Sequence, residues 1–106
     1  MAWIMLVVAG LLEIVWAFFM KQSDGFSKLV PTAITFVTMF ASFALLSLSM
    51  KTLPLGTAYM IWTGIGAVGA FVVGVMFLGE VLSPARILAA VLIVSGLVVM
   101  KLASSH

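Results

Sequence analysis

The chain has 106 residues, of which 65% are hydrophobic and 8% are charged, whereas soluble domains have roughly 45–50% apolar and about 25% charged residues. This composition excludes a soluble fold, because too few polar residues are available to cover its surface, and predicts one membrane domain over residues 1–106. The net charge is +2, and the five basic residues are spread along the chain, which argues against a nucleic-acid partner. The lack of cysteine excludes disulfides and thiolate sites.

Four apolar segments, separated by short polar breaks, occupy residues 2–20, 29–50, 55–78 and 85–102. Each is close to the ~20 residues with which a helix crosses a ~30 Å hydrocarbon core. Short breaks force consecutive helices to run antiparallel, with both termini on one side. The first segment lacks a basic start and a cleavage site, so we interpret it as a retained helix and not a signal peptide. The sequence therefore predicts an all-α membrane protein with four transmembrane helices.

The first span contains Glu13 near its centre, while the other two acids, Asp24 and Glu80, fall in the polar breaks. An ionisable side chain at this depth costs several kcal/mol unless it is paired, hydrated or neutralised. The nearest candidate partners, Lys21 and Lys101, lie at span ends, where they can extend to the interface. Glu13 is therefore predicted to bind a proton and a cation in alternation.

Three residues share the helical face of Glu13, at spacings of three or four: Gly10, Trp16 and Ala17. Gly10 is predicted to leave room beside the acid. The Trp16 indole is predicted to donate a hydrogen bond to the carboxylate.

The second span presents a stripe of hydroxyl groups at Thr35, Thr38, Ser42 and Ser49. Such hydroxyls commonly bond to carbonyls of their own helix. Ser42 lies at the depth of Glu13 and is the predicted exception, directed toward the site.

The third span places Tyr59 and Trp62 three residues apart, and we predict that they form aromatic walls of a cation site, with an interfacial belt as the alternative. Small residues at Gly64, Gly66 and Gly69 permit either a bend that changes between conformations or close helix packing. The sequence leaves both readings open.

The fourth span has no acid and is predicted to serve in packing, with another subunit as its candidate neighbour, because four spans enclose little interior. The basic residues are almost evenly divided between the two sides of the membrane: Lys51 and Lys101 against Lys21, Lys28 and Arg86. This near-equality favours insertion in both orientations and an antiparallel pair, the alternative being one orientation set by another determinant.

Taken together, one carboxylate, hydroxyls and aromatic rings predict a small organic cation as the ligand. No nucleophile–base pair or phosphate loop is present, so no enzyme activity, cofactor or metal site is predicted. The one histidine, His106, is terminal. The glycines from Gly64 to Gly69 match a dinucleotide fingerprint only in letters, since no strand precedes them.

The whole chain resembles the small multidrug resistance family of bacterial transporters. The resemblance rests on the four spans, on the central Glu13 and on two motifs, Lys21-x-x-x-Gly25-Phe26 and Pro54-x-Gly56-x-Ala58-Tyr59-x-x-Trp62-x-Gly64-x-Gly66. It is most similar to the guanidinium-exporter subtype. The subtype signs are Gly10, Trp16, Ala17, Ser42, Lys51-Thr52-Leu53-Pro54, Thr57, Trp62-Thr63-Gly64-Ile65-Gly66-Ala67 and Lys101.

The resemblance implies an antiparallel, dual-topology homodimer in the bacterial inner membrane that exports guanidinium in exchange for protons. It also implies that both ligands share Glu13, within a network of Trp16, Ser42, Tyr59 and Trp62. Met60 departs from the small residue expected after the tyrosine and leaves open whether substituted guanidiniums pass. Two alternatives remain at this point, a broad exporter of quaternary ammonium and lipophilic drug cations and a non-transporting membrane subunit of a larger complex.

Overall fold

Four helices form the described part of the protein: α1 (Ala2–Gln22), α2 (Leu29–Ser49), α3 (Leu55–Phe77) and α4 (Pro84–Ala103). The computed structural model describes residues 1–103, so His106 lies outside the described residues. Each helix has 20 to 23 residues and is long and apolar enough to cross a bilayer. The predicted all-α fold with four membrane-spanning helices is confirmed, and every helix end lies within two residues of its predicted position.

The α1–α2 connection reverses the chain through three consecutive residues in the left-handed region, Asp24, Gly25 and Phe26, with φ of 51°, 72° and 66°. Buried Ser23 holds this turn, because its hydroxyl donates to the Met20 carbonyl at 2.6 Å and accepts from the Phe26 N–H at 3.0 Å. The tight reversal brings α2 back along α1.

The core lies between α1, α2 and α3, and α1 contacts both of the others. Its buried apolar members are Leu6, Ala9, Leu46, Ala58, Ile61 and Trp62. α4 packs on α3, and none of its described residues is buried. The chain is only 16 Å thick in its shortest dimension, so much of its apolar surface is exposed.

Both ends of the described chain meet on one side, as the antiparallel prediction required. The Lys101 ammonium lies 4.5 Å from the centroid of the Trp3 ring, in a cation–π contact between α4 and α1. This contact is consistent with Trp3 and Lys101 lying at the interfacial ends of their spans.

α3 is continuous through its central glycines. Gly64 faces Leu97 of α4, Gly66 faces Glu13 of α1, and Gly69 faces Ile14 of α1. The glycines therefore serve close packing, because a Cβ atom at any of the three would overlap its neighbour. The change of bend between two conformations stays a prediction.

Candidate functional site

Glu13 lies half-buried at mid-height of α1, with its carboxylate pressed against the backbone of Gly66. A Cβ atom at residue 66 would overlap the Glu13 Oε1 and Cδ atoms, so only glycine accommodates the carboxylate there. Oε1 is buried and has no hydrogen-bond partner within residues 1–103, and no Lys or Arg of this part of the chain neutralises it. A buried, unpaired acceptor of this kind costs free energy until a donor or a proton reaches it.

Trp16 does not make the predicted hydrogen bond to Glu13, and that prediction was wrong. The indole Nε1 is buried and has no partner among the described residues, while the ring meets Phe43 of α2 edge-on at 6.3 Å. Trp16 is thus directed toward α2, whereas the carboxylate of Glu13 is directed toward α3. A shared helical face places two side chains near one another without determining which neighbouring helix each one meets.

Gly10 serves a different purpose from the one predicted. The space beside it is taken by Ile65 of α3, whose Cγ2 would lie 2.7 Å from a Cβ atom at residue 10. Gly10 therefore lets α1 and α3 approach, and Gly66 provides the room beside the acid. Ala17, one turn beyond Glu13, lines a small cavity between the same two helices.

Ser42 is completely buried and joins three helices through two hydrogen bonds. Its hydroxyl donates to the Ala9 carbonyl of α1 at 2.7 Å and accepts from the Trp62 indole of α3 at 2.9 Å. The other hydroxyls of the stripe bond to their own helix at 2.7 to 2.8 Å: Thr35 to Pro31, Thr38 to Ile34 and Ser49 to Leu46. Ser42 is thus the one hydroxyl of the stripe that bonds to other helices, and its part in the site stays a prediction.

This network is attached to the helical turn that carries Glu13. In a regular α-helix, the carbonyl of residue 9 accepts the N–H of residue 13, so Ser42 bonds to the backbone group that also holds Glu13 in place. Since Ala9, Ser42 and Trp62 are all buried, the three helices are held in register at the depth of the acid.

A continuous series of ring contacts links α1, α2 and α3. Trp16 meets Phe43 at 6.3 Å, Phe43 meets Trp62 at 5.8 Å, and Trp62 meets Tyr59 at 5.6 Å between centroids. Phe43 was missed in the sequence, where an additional phenylalanine in an apolar helix carries no signal. Tyr59 is 52% exposed, and no hydrogen bond joins it to Glu13 in the described chain.

Met60 and Gly64 line a groove of about 420 Å³ between α3 and α4, together with Tyr59. Gly64 allows Leu97 of α4 to come within 2.5 Å of where a Cβ atom would stand. Glu13 does not line this groove, so Met60 lies at the α3–α4 contact and not beside the acid.

Across residues 1–103, no group of three metal-ligating side chains lies together. The chemical capacity of the site is therefore that of one unpaired carboxylate, one shared hydroxyl and a set of aromatic rings.

A model of the Small Multidrug Resistance protein family matches residues 1–103. The chain belongs to this family. The resemblance inferred from the sequence is thereby confirmed, and the family member is a multi-pass inner-membrane transporter and not an enzyme.

Several relatives share its full length. A protein of Salmonella typhimurium strain LT2 is 58% identical over 106 residues, which cover 100% of both chains. One of Citrobacter freundii is 55% identical with the same coverage. A protein of Yersinia pseudotuberculosis is 58% identical over 104 residues, which cover 98% of this chain and 100% of the relative. All three are named "Guanidinium exporter".

Proposed function

We propose that the protein exports guanidinium in exchange for protons and that it works as an antiparallel, dual-topology homodimer. The observation that carries this proposal is the buried Oε1 atom of Glu13, which has no partner in the described chain. The names of the full-length relatives support guanidinium as the substrate.

A carboxylate at membrane depth needs a positive companion. Guanidinium suits this role because it is planar and permanently charged, and because its fork of N–H donors matches the two oxygens of a carboxylate. A proton neutralises the same group. Since Glu13 cannot hold both ligands at once, binding of one releases the other, and this competition couples the two flows.

Ser42 can contribute to selectivity through its remaining hydrogen-bonding capacity. A serine hydroxyl has one donor and two acceptor lone pairs. The donor is used by Ala9 and one lone pair by Trp62, so a second lone pair remains unused. Ser42 is completely buried in this structure, and the lone pair would accept a substrate N–H once the site opens around it. A quaternary ammonium ion has no N–H to offer, so this acceptor favours guanidinium over the drug cations of the alternative function.

Three features support the antiparallel dimer. None of the described residues of α4 is buried, although the helix is strongly apolar, and this leaves a long face for a second copy. The near-equal division of basic residues between the two sides favours insertion in both orientations. Finally, a second copy would bring a second Glu13 to complete a cavity that one thin chain cannot enclose.

Glu13→Gln tests the mechanism, with Asp24→Asn in the α1–α2 connection as the matched control. In detergent, guanidinium should release protons from the wild type and from the control, and no release is expected from Glu13→Gln. In proteoliposomes, Glu13→Gln should lose guanidinium-driven proton movement. As the pH is lowered and protons occupy the site, the guanidinium affinity of the wild type should fall by up to about tenfold per pH unit. The reason is that one proton competes with one substrate ion.

Three results would contradict the proposal. Retained exchange by Glu13→Gln would refute the role of the acid. Tight, competitive binding of tetraalkylammonium ions would favour a broad drug exporter. A wild type that releases no protons on guanidinium addition would favour a non-transporting subunit.

A further inference from the structure

Glu80, in the connection between α3 and α4, is held against the end of α3. Gly79 reverses the chain with φ of 69°, and the N–H groups of Leu78 and Glu80 both donate to the Gly74 carbonyl at 3.1 Å. The Glu80 carboxylate then rests on Gly74, where a Cβ atom would lie 2.5 Å from Oε1 and 3.0 Å from Oε2. The backbone thus directs this acid toward the α1–α3 seam.

A cavity of about 120 Å³ occupies the seam beside Glu80. Lys21 of α1 and Glu80 are its charged lining groups, and the lining residues of α3 are not titratable. The remaining lining residues are apolar: Ile14, Ala17, Phe18, Ala70, Val73 and Leu78. The volume is about ten times the roughly 10–15 Å³ that one water molecule needs by this measure, and Lys21 and Glu80 supply the polar groups that such water also needs.

The cavity extends from Glu80 toward Glu13. Ala17 is four residues beyond Glu13 on α1, and Ala70 is four residues beyond Gly66 on α3. Ile14, which directly follows Glu13, also lines the cavity, so its inner end lies within about one helical turn, ~5.4 Å, of the level of the central carboxylate. Glu13 rests on Gly66 and Glu80 on Gly74, eight residues or about 12 Å apart along the same helix.

We propose that Glu80 is an outer proton acceptor, which exchanges protons with Glu13 through water in this cavity. The inference rests on the proposed function and adds a route for its protons. A proton leaving Glu13 would pass along hydrogen-bonded water to the Glu80 carboxylate and from there to the membrane surface, and the reverse path would reload the site. No bond other than O–H is made or broken.

The lining favours protons over guanidinium as the species that uses this route. Ile14 lines the inner end and packs tightly on Gly69, so a guanidinium ion would have to displace it. A proton needs only a chain of hydrogen-bonded water molecules.

Glu80→Gln tests the proposal, with Asp24→Asn as control because Asp24 is an acid on the same side of the membrane but not on the cavity. The readouts are the rate and the amount of proton release when guanidinium is mixed with detergent-solubilised protein, and the guanidinium Kd. For Glu80→Gln we expect an unchanged Kd and an unchanged amount of released protons. Its release rate should be about tenfold lower, the lower end of the 10–10³ by which a favourable local field accelerates ion arrival.

Two further variants separate a proton route from a structural role. Ala70→Leu fills the cavity without touching a charge and should slow proton release to a similar extent, with an unchanged Kd as the check on folding. Glu80→Asp keeps the acid and should recover most of the wild-type rate. Gly74→Ala, which displaces the carboxylate, should resemble Glu80→Gln.

An unchanged release rate in Glu80→Gln would overturn the inference and leave the proposed function standing. A weakened guanidinium Kd with an unchanged rate would also overturn it, since Glu80 would then belong to the substrate path. Absence of proton release from the wild type would overturn both proposals together.

Discussion

Replacing Ser42 with alanine removes the group that joins the three helices around Glu13. The variant loses the bond to the Ala9 carbonyl, for which we expect a net cost of about 0.5–1.5 kcal/mol. It also leaves the Trp62 N–H without its acceptor, and an unsatisfied buried donor costs about 1–3 kcal/mol. Trp62 is only 7% exposed, so solvent cannot replace the lost partner.

Hydrogen bonds between membrane helices average about 0.6 kcal/mol in double-mutant cycles and reach about 1.7 kcal/mol. We expect the coupling between Ser42 and Trp62 to fall near the upper value, at about 1–1.7 kcal/mol, because the network is fully enclosed. The cycle uses Ser42→Ala, Trp62→Phe and the double variant, with unfolding by sodium dodecyl sulfate followed by circular dichroism. Additivity of the two single variants within about 0.3 kcal/mol would refute this reasoning.

Ser49→Ala provides the matched control for the same experiment. Ser49 is also completely buried on α2, but its hydroxyl bonds to Leu46 of its own helix, and the control should cost less than about 0.5 kcal/mol. Guanidinium affinity should fall about two- to tenfold in Ser42→Ala through loss of the free lone pair, since tenfold corresponds to about 1.4 kcal/mol. It should be unchanged in Ser49→Ala, and equal losses in both would assign the effect to general destabilisation.

Two further predictions concern the setting of the acid and the orientation of the chain. Gly66→Ala places a Cβ atom on the Glu13 carboxylate and should abolish guanidinium binding measured by calorimetry, whereas Gly56→Ala in the first turn of the same helix, where a Cβ atom would meet nothing within 4 Å, should bind normally. Because the chain has no native cysteine, Thr52→Cys in the exposed α2–α3 connection reports orientation. About half of it should react with an impermeant maleimide added outside intact cells, and reaction of nearly all or none would exclude dual topology.

The helices were predictable because the physical signal for a membrane span is local. Each segment must satisfy the hydrogen bonds of its own backbone and must be long enough to span the hydrocarbon core. Composition and length are therefore enough to place it. Glu13 was predictable for the same reason: its cost depends on depth, which follows from its position within a span. The fate of the hydroxyls on α2 was also predictable, since bonding to the preceding turn is the local default.

Contacts between helices were predicted less well. The spacing of Gly10, Glu13 and Trp16 places all three on one face, yet in the structure they meet Ile65, Gly66 and Phe43 respectively. A helical face spans enough angle to meet two neighbouring helices at once. The choice between them depends on side-chain rotamers and on how α2 and α3 pack, neither of which is encoded in spacing along α1.

The sequence alone determined that this chain lies in a membrane as four helices and that one acid, Glu13, lies at membrane depth without a basic partner, because hydrophobic length and the cost of a buried charge act residue by residue. Only the tertiary structure decided that Gly66 receives the carboxylate, that Ser42 joins Ala9 to Trp62, and that Glu80 folds back on Gly74. Those contacts join residues far apart along the chain, so they exist only once the helices have packed.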